Sequence, residues 1–214
     1  MVTSDGAMQF QGGYLAVGHW GGAPIRLHWT LPIGAFVFGQ GQVVPGFWLG
    51  FFLLVLIHEL GHAAVVRRAR RRVLSIEVHG LGGLCHWDGG ASAIDRARIA
   101  WGGVQAQLVA LLFAQVGLSL FGPPTTAFTA QMVTAFTTTN IWLILINLIP
   151  VPPLDGAEAW KLFPLLWQQS RRRPPRATPP SVERELAALD QSDRAAGAKG
   201  WSFDAWLNDR RDRK

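Results

Sequence analysis

Charge is what this sequence lacks. Between Arg26 and Arg67 the only Asp, Glu, Lys or Arg is Glu59, and between Arg98 and Asp155 there is none. Charged residues make up 16% of the chain, against about 25% in soluble domains. A water-soluble fold of this size rarely runs so far without a surface charge. A bilayer demands it, because a charge at the centre of a spanning helix costs roughly 2.5–3.5 kcal/mol. Cysteine is nearly absent too. The single Cys85 excludes an intrachain disulfide and leaves the redox compartment open. Lysine is scarce: Lys161, Lys199 and Lys214 are the only ones among 20 cations. Such a bias to Arg fits a GC-rich bacterial source. Residues Met1 to Gly13 have neither a basic start nor an apolar core, so they do not resemble a cleaved signal peptide. No internal repeat is evident.

What is present is apolar. Hydrophobic residues make up 49% of the chain, with ten Trp. Four apolar segments stand out, at about Leu27–Val44, Gly46–Val66, Ile99–Phe121 and Ala127–Ile149. Each has about the 20 residues needed to cross a hydrocarbon core of roughly 30 Å. The first is the weakest, interrupted by Gly34, Gly39 and Gly41, while Gly122-Pro123-Pro124 parts the last two. Residues 73–88 alternate in part like strands and are interrupted by Gly80, Gly82 and Gly83, which predicts a β-ribbon with a tight turn. The expectation is an α-helical integral membrane protein. It has about four transmembrane helices, a small β-ribbon after the second, and a disordered or short-helical C-terminal tail. The expected divisions are an N-terminal segment (1–24), a membrane-embedded core (25–168) and a polar, basic tail (169–214).

The formal net charge of +6 could point to nucleic acid, but the arginines cluster beside the apolar segments. Arg67, Arg68, Arg70, Arg71 and Arg72 follow the second segment, Arg96 and Arg98 precede the third, and Arg171, Arg172, Arg173 and Arg176 follow the fourth. The opposite loops are uncharged. By the positive-inside rule both termini are cytoplasmic, and no nucleic-acid partner is expected. In the tail, Arg171–Pro180 reads as a linker, Ser181–Leu189 as a short helix, and residues 200–214 as a frayed end or, in the rival reading, an interfacial anchor or partner-docking peptide.

Within the second segment lies His58-Glu59-Leu60-Gly61-His62, an HExxH motif. Helical residues four apart lie about 40° apart around the axis and about 6 Å along it. His58 and His62 therefore share a face on which one Zn²⁺ can be held, with Glu59 beside it as a proton carrier. Three ionisable groups in an otherwise uncharged span point to function. Gly61 leaves bare backbone where a substrate or another helix can approach. Such a site needs a third protein ligand. A His six residues after His62 would fit one soluble class, but that position is Arg68. Glu77 is the near carboxylate, in the ribbon beyond the basic loop. Asp155 is the better candidate. It ends the run Asn147-Leu148-Ile149-Pro150-Val151-Pro152-Pro153-Leu154-Asp155-Gly156, where three prolines must stop a span. Irregular backbone at that depth is tolerated beside protein or a wet cavity. A Cys85-His86 metal pair, His79 as a functional group and His28 as a catalyst are disfavoured against ordinary packing.

HELGH on one span followed by N-x-x-P-x-P-x-L-D-G at the end of a later one resembles the site-2 protease family of intramembrane metalloproteases. The resemblance covers about residues 25–167. It implies zinc held by His58, His62 and Asp155, Glu59 as catalytic base, and Asn147 helping to hold substrate. Gly80–Leu84 resembles the family's Gly-Gly ribbon, which implies that Gly82 and Gly83 lie at a substrate-binding edge. Gly103-Val104-Gln105-Ala106-Gln107 stands where the family often has Gly-Pro-x-x-Asn. Pro is absent, and Gln107 takes the place of Asn. The implied activity is hydrolysis in or near transmembrane segments of single-span proteins, as in regulated intramembrane proteolysis. The implied place is the bacterial plasma membrane. With no PDZ or CBS domain in view, any regulator is expected to be a separate protein. The rival readings are a catalytically silent scaffold or metal-binding membrane protein, and a soluble zincin with a buried helix.

Overall fold

The computed structural model describes residues 10–80, 82–171, 184–185, 187–192 and 194. The chain divides into two compact units, Met1–Gln169 and Ser170–Lys214. The first carries the sheet and the long helices.

Five strands form one sheet in chain order: β1 (Phe10–Gln11), β2 (Tyr14–Trp20), β3 (Ala23–His28), β4 (Val73–His79) and β5 (Gly82–Trp87). Neighbours are antiparallel except β3 and β4, which run parallel with Ile25 opposite Ile76 and Leu27 opposite Val78. A parallel pair needs a long crossover. Here α1 (Leu31–Phe38) and α2 (Pro45–Arg68) supply it. The expected ribbon is β4–β5, and the structure extends it into a sheet by adding the strands that precede α1.

Among the described residues, three helical stretches are long and apolar enough to cross a membrane: Pro45–Arg68, Ala93–Phe121 and Ala127–Asn147. Local chemistry sets their starts. Pro45 opens α2, where its missing N–H costs nothing. The Ser92 side chain accepts from the Asp95 N–H at the start of α3 (Ala93–Phe121). Thr126 and Thr129 form a capping box on α4 (Ala127–Thr134). The last stretch is not uniform. A π-helical turn, Ala135–Thr139, separates α4 from α5 (Asn140–Asn147). Two short helices follow, α6 (Gly156–Ala159) and α7 (Leu162–Arg171).

The expected first span, Leu27–Val44, takes another form. Leu27 and His28 end β3, and only the eight residues of α1 are helical. Eight residues rise about 12 Å, well short of the hydrocarbon core. Gly39 caps the helix, and Gln40 and Gly41 then adopt positive φ. Gly34 meets Gly80 so closely that a Cβ there would strike the Gly80 carbonyl. This segment therefore packs on the sheet. Its apolar residues join a core of Ala35, Phe47, Phe51, Val55, Val78 and Ala135, with Phe38 and Phe51 stacked at 5.2 Å. By contrast α3 leaves Leu112, Phe113, Leu120 and Phe121 exposed, as expected of a lipid-facing surface.

In the second unit the described residues 184–185, 187–192 and 194 are helical, with Arg194 paired to Asp190 at 2.9 Å. The linker expected at Arg171–Pro180 and the tail end at 200–214 lie, apart from Arg171, outside the described residues.

Candidate metal centre

His58 and His62 are one turn apart on α2, and both are 7% exposed. Their Nε2 atoms lie 3.0 Å apart. Asp155 Oδ2 is 2.9 Å from His58 Nε2 and 3.2 Å from His62 Nε2. The prolines explain how a residue beyond α5 gets there. Pro150, Pro152 and Pro153 keep the chain from continuing as a helix, and it turns tightly through Ile149–Leu154 before α6 starts at Gly156. Gly156 is required at that point, since a Cβ would strike the carbonyls of Leu148 and Ile149.

The outer face of each imidazole meets an acceptor. His58 Nδ1 is 2.9 Å from Gln107 Oε1, and His62 Nδ1 is 2.7 Å from the Ile99 carbonyl oxygen. An acceptor at Nδ1 requires the proton there, so each Nε2 carries a lone pair inward. Asp155 Oδ2 is buried without a hydrogen-bond donor among the described residues. With both imidazoles neutral, three lone-pair atoms converge there. A bound cation relieves that arrangement, as would a proton on one imidazole, and tetrahedral zinc at about 2.0–2.1 Å from each ligand would set the donors roughly 3.3 Å apart. The donor set fits zinc.

Glycines make the room. A Cβ on Gly103 would lie 2.5 Å from His58 Cε1 and 2.6 Å from the Nε2 atoms of both histidines. One turn of α2 beyond His58, Gly61 faces Gly102, and a Cβ on either would meet the other's carbonyl. The bare backbone at Gly61 is thus where α3 approaches. Glu59 is 2% exposed. It lies against the start of β5, where a Cβ on Gly83 would overlap the Glu59 carboxylate. Gly82, at φ 141°, has open space around it.

Of the other residues singled out in the sequence, Asn147 is half-buried at the end of α5. No hydrogen bond among the described residues joins it to the three convergent side chains. Glu77 stands apart from them, 3.5 Å from Arg26 and 3.4 Å from His86. Adjacent strand residues point to opposite faces, so Cys85 and His86 do not converge. Burial pushes the Cys85 thiol up to about 12, and the Glu59 carboxylate adds to the shift. His28 packs between Tyr14 and Trp29 and bonds Thr30 Oγ1 at 2.8 Å.

One residue escaped the sequence reading. Asn140 is fully buried on α5, just after the π-helical turn. Its Nδ2 donates to the Gln107 carbonyl at 2.9 Å and the Phe136 carbonyl at 3.3 Å. It thereby steadies the stretch of α3 that carries the partner of His58. The available signal was an amide in the apolar run Ile141–Ile149 and its approach, and π-helical turns often mark functional positions.

No family model matches the chain. Two curated relatives, both named zinc metalloprotease Rip3, from two strains of Mycobacterium tuberculosis, are 29% identical over 175 residues, covering 72% of this chain and 44% of each relative. The chain therefore spans less than half the length of the curated relatives it matches. The solved structure of a site-2 protease from Methanocaldococcus jannaschii superposes with a TM-score of 0.53 at 21% identity, covering 70% of this chain and 71% of that one. The fold and the three apolar helices define a multi-pass membrane protein of this architecture. The chain is thus similar in sequence to the two Rip3 relatives and in fold to a site-2 protease.

Proposed function

We propose that the chain is a zinc metalloprotease that hydrolyses peptide bonds in or near transmembrane segments. The observation that carries this reading is the convergence of His58, His62 and Asp155 on one point, beside a buried Glu59, between candidate membrane spans. Zinc held there would supply Lewis acidity for a water and for the scissile carbonyl. The chain's own residues do the rest. Gln107 and the Ile99 carbonyl keep both imidazoles in the ligating tautomer. Glu59 takes the proton of the attacking water and passes it to the leaving amine. Gly82, Gly83 and Asn147 hold an unwound stretch of substrate near Glu59. An extended segment can pair with a strand edge, and Gly83 already lies on the Glu59 carboxylate.

The substrate class is a single-span membrane protein, processed in regulated intramembrane proteolysis under a separate regulatory protein. The arginine-bearing loops support cytoplasmic termini in a bacterial plasma membrane. The test is Glu59→Gln. Purified protein keeps its zinc, measured by elemental analysis, and loses cleavage of a model membrane substrate by at least about 10²-fold. Undiminished cleavage overturns the mechanism. Wild-type protein that binds zinc but cuts none of a panel of single-span proteins favours the silent metal-binding scaffold.

A further inference from the structure

A cavity of about 480 Å³ lies at the arginine-rich end of α2, where that helix meets α3 and the start of α7. Val65, Arg68, Arg98, Trp101 and Leu162 line it, with Asp95 among them. The wall thus sets two arginines, with Asp95 and Gln105, among four apolar side chains. Arg68 sits in the last turn of α2 and Arg98 in the second turn of α3, so two spans each supply one guanidinium. The nearby acid offsets one of them in part, and the wall keeps a net positive charge. Asp95 is held at its own helix start by Ser92 at 2.8 Å, and stands 3.8 Å from Arg98. Other arginines of the same loops are engaged elsewhere. Arg67 lies 5.0 Å over the Trp20 ring, Arg71 donates to the Gly90 carbonyl and Arg96 to the Ala91 carbonyl.

The surroundings mark the depth. Trp101, Trp160 and Phe163 cluster with ring centroids 5.6–6.1 Å apart, and the two indoles donate to the Ala159 and Leu148 carbonyls. Aromatic rings with satisfied N–H groups beside arginines are the signature of a membrane–water interface. A basic pocket between spans at that level suits a phosphate-bearing headgroup. Val65, Trp101 and Leu162 offer apolar surface below it. We infer that this cavity binds an anionic phospholipid, with Arg68 and Arg98 on its phosphate and the head of an acyl chain along Val65, Trp101 and Leu162. The site rests on the membrane reading of α2 and α3 and is independent of proteolysis.

The test uses the full chain in detergent, with phosphatidylglycerol, phosphatidylcholine and inorganic phosphate as probes. Native mass spectrometry should show one retained phosphatidylglycerol. Arg68→Gln/Arg98→Gln should weaken that binding about thirty-fold, at roughly fivefold for each surface arginine. The charge-matched Arg70→Gln/Arg72→Gln variant should change it no more than a few-fold. Equal losses in both variants, or full retention in the first, overturn the site. On the wild-type chain, phosphatidylglycerol should raise the thermal midpoint while phosphatidylcholine does not. That arm decides the matter if the Arg68/Arg98 variant fails to fold. Equal protection by both lipids, or by inorganic phosphate alone, overturns the lipid assignment. Loss of protease activity in any preparation has no bearing on these readouts, so this inference and the proposed function fail separately.

Discussion

Among the described residues, two groups bring histidine and carboxylate together, and they behave differently. In one, His58, His62 and Asp155 present three ligand atoms within 4.8 Å of one another, and the two histidines are buried. In the other, His86, Glu77 and Arg26 meet on the sheet, with the His86 and Arg26 side chains each 44% exposed. The first has more acceptors than donors at its centre. Gln107 and Ile99 take the outer protons of both imidazoles, so in the neutral rings the inner atoms face each other as lone pairs. The second is balanced: Ser75 and Arg26 donate to Glu77 from neighbouring positions, and His86 completes the set. Residue type alone does not separate a metal centre from an ordinary ion-pair cluster. Convergence, burial and the fate of the second imidazole nitrogen do.

The largest break in this contrast should come from the ligands. Asp155→Ala should lower zinc affinity by well over the roughly 100-fold that loss of a supporting partner can cost, while His86→Ala leaves it unchanged. Competition against a metal chelator measures both, and equal effects would erase the distinction. Gly103→Ala comes next. Its methyl group would press on ligand atoms of both histidines, so zinc affinity should fall about as far as for a lost supporting partner, by 10–100-fold. Gln107→Leu should sit at the lower part of that range, about tenfold, because His58 keeps its position on α2 but loses the acceptor that holds its tautomer. A Gln107→Leu chain that binds zinc as wild type does would mean the 2.9 Å contact is packing only. The smallest effect belongs to the sheet. Glu77→Gln removes an exposed-partner ion pair worth about 0–1 kcal/mol. The thermal midpoint should drop by no more than about 2–4 °C, with zinc content intact.

Parts of this were legible before any coordinates. The second, third and fourth apolar segments match the three long helical stretches, with the third helix starting six residues earlier at Ala93, because a charge-free run of that length and a proline or a hydroxyl cap at its start are local properties. The first segment was not legible. Its composition is as apolar as a span, but α1 stops after eight residues where Gly39, Gln40 and Gly41 break it. Its apolarity serves a sheet and helix core instead. The parallel pairing of β3 with β4 was also hidden, since the partners are separated by both α1 and α2.

What the sequence by itself determined is the His58–Glu59–His62 register. Four residues are about one helical turn, so any helix through HELGH puts both imidazoles on one side. The membrane setting was equally local, written in the absence of charge. Tertiary structure decided the rest. It carried Asp155 back across the end of α5 to within 2.9 Å of His58. It set Gly83 against Glu59, and it joined Asn140 through Gln107 to His58. These contacts link residues 24 to 97 positions apart. Periodicity fixes the direction of a side chain on its own helix, while the distance between helices depends on how their glycines let them pack.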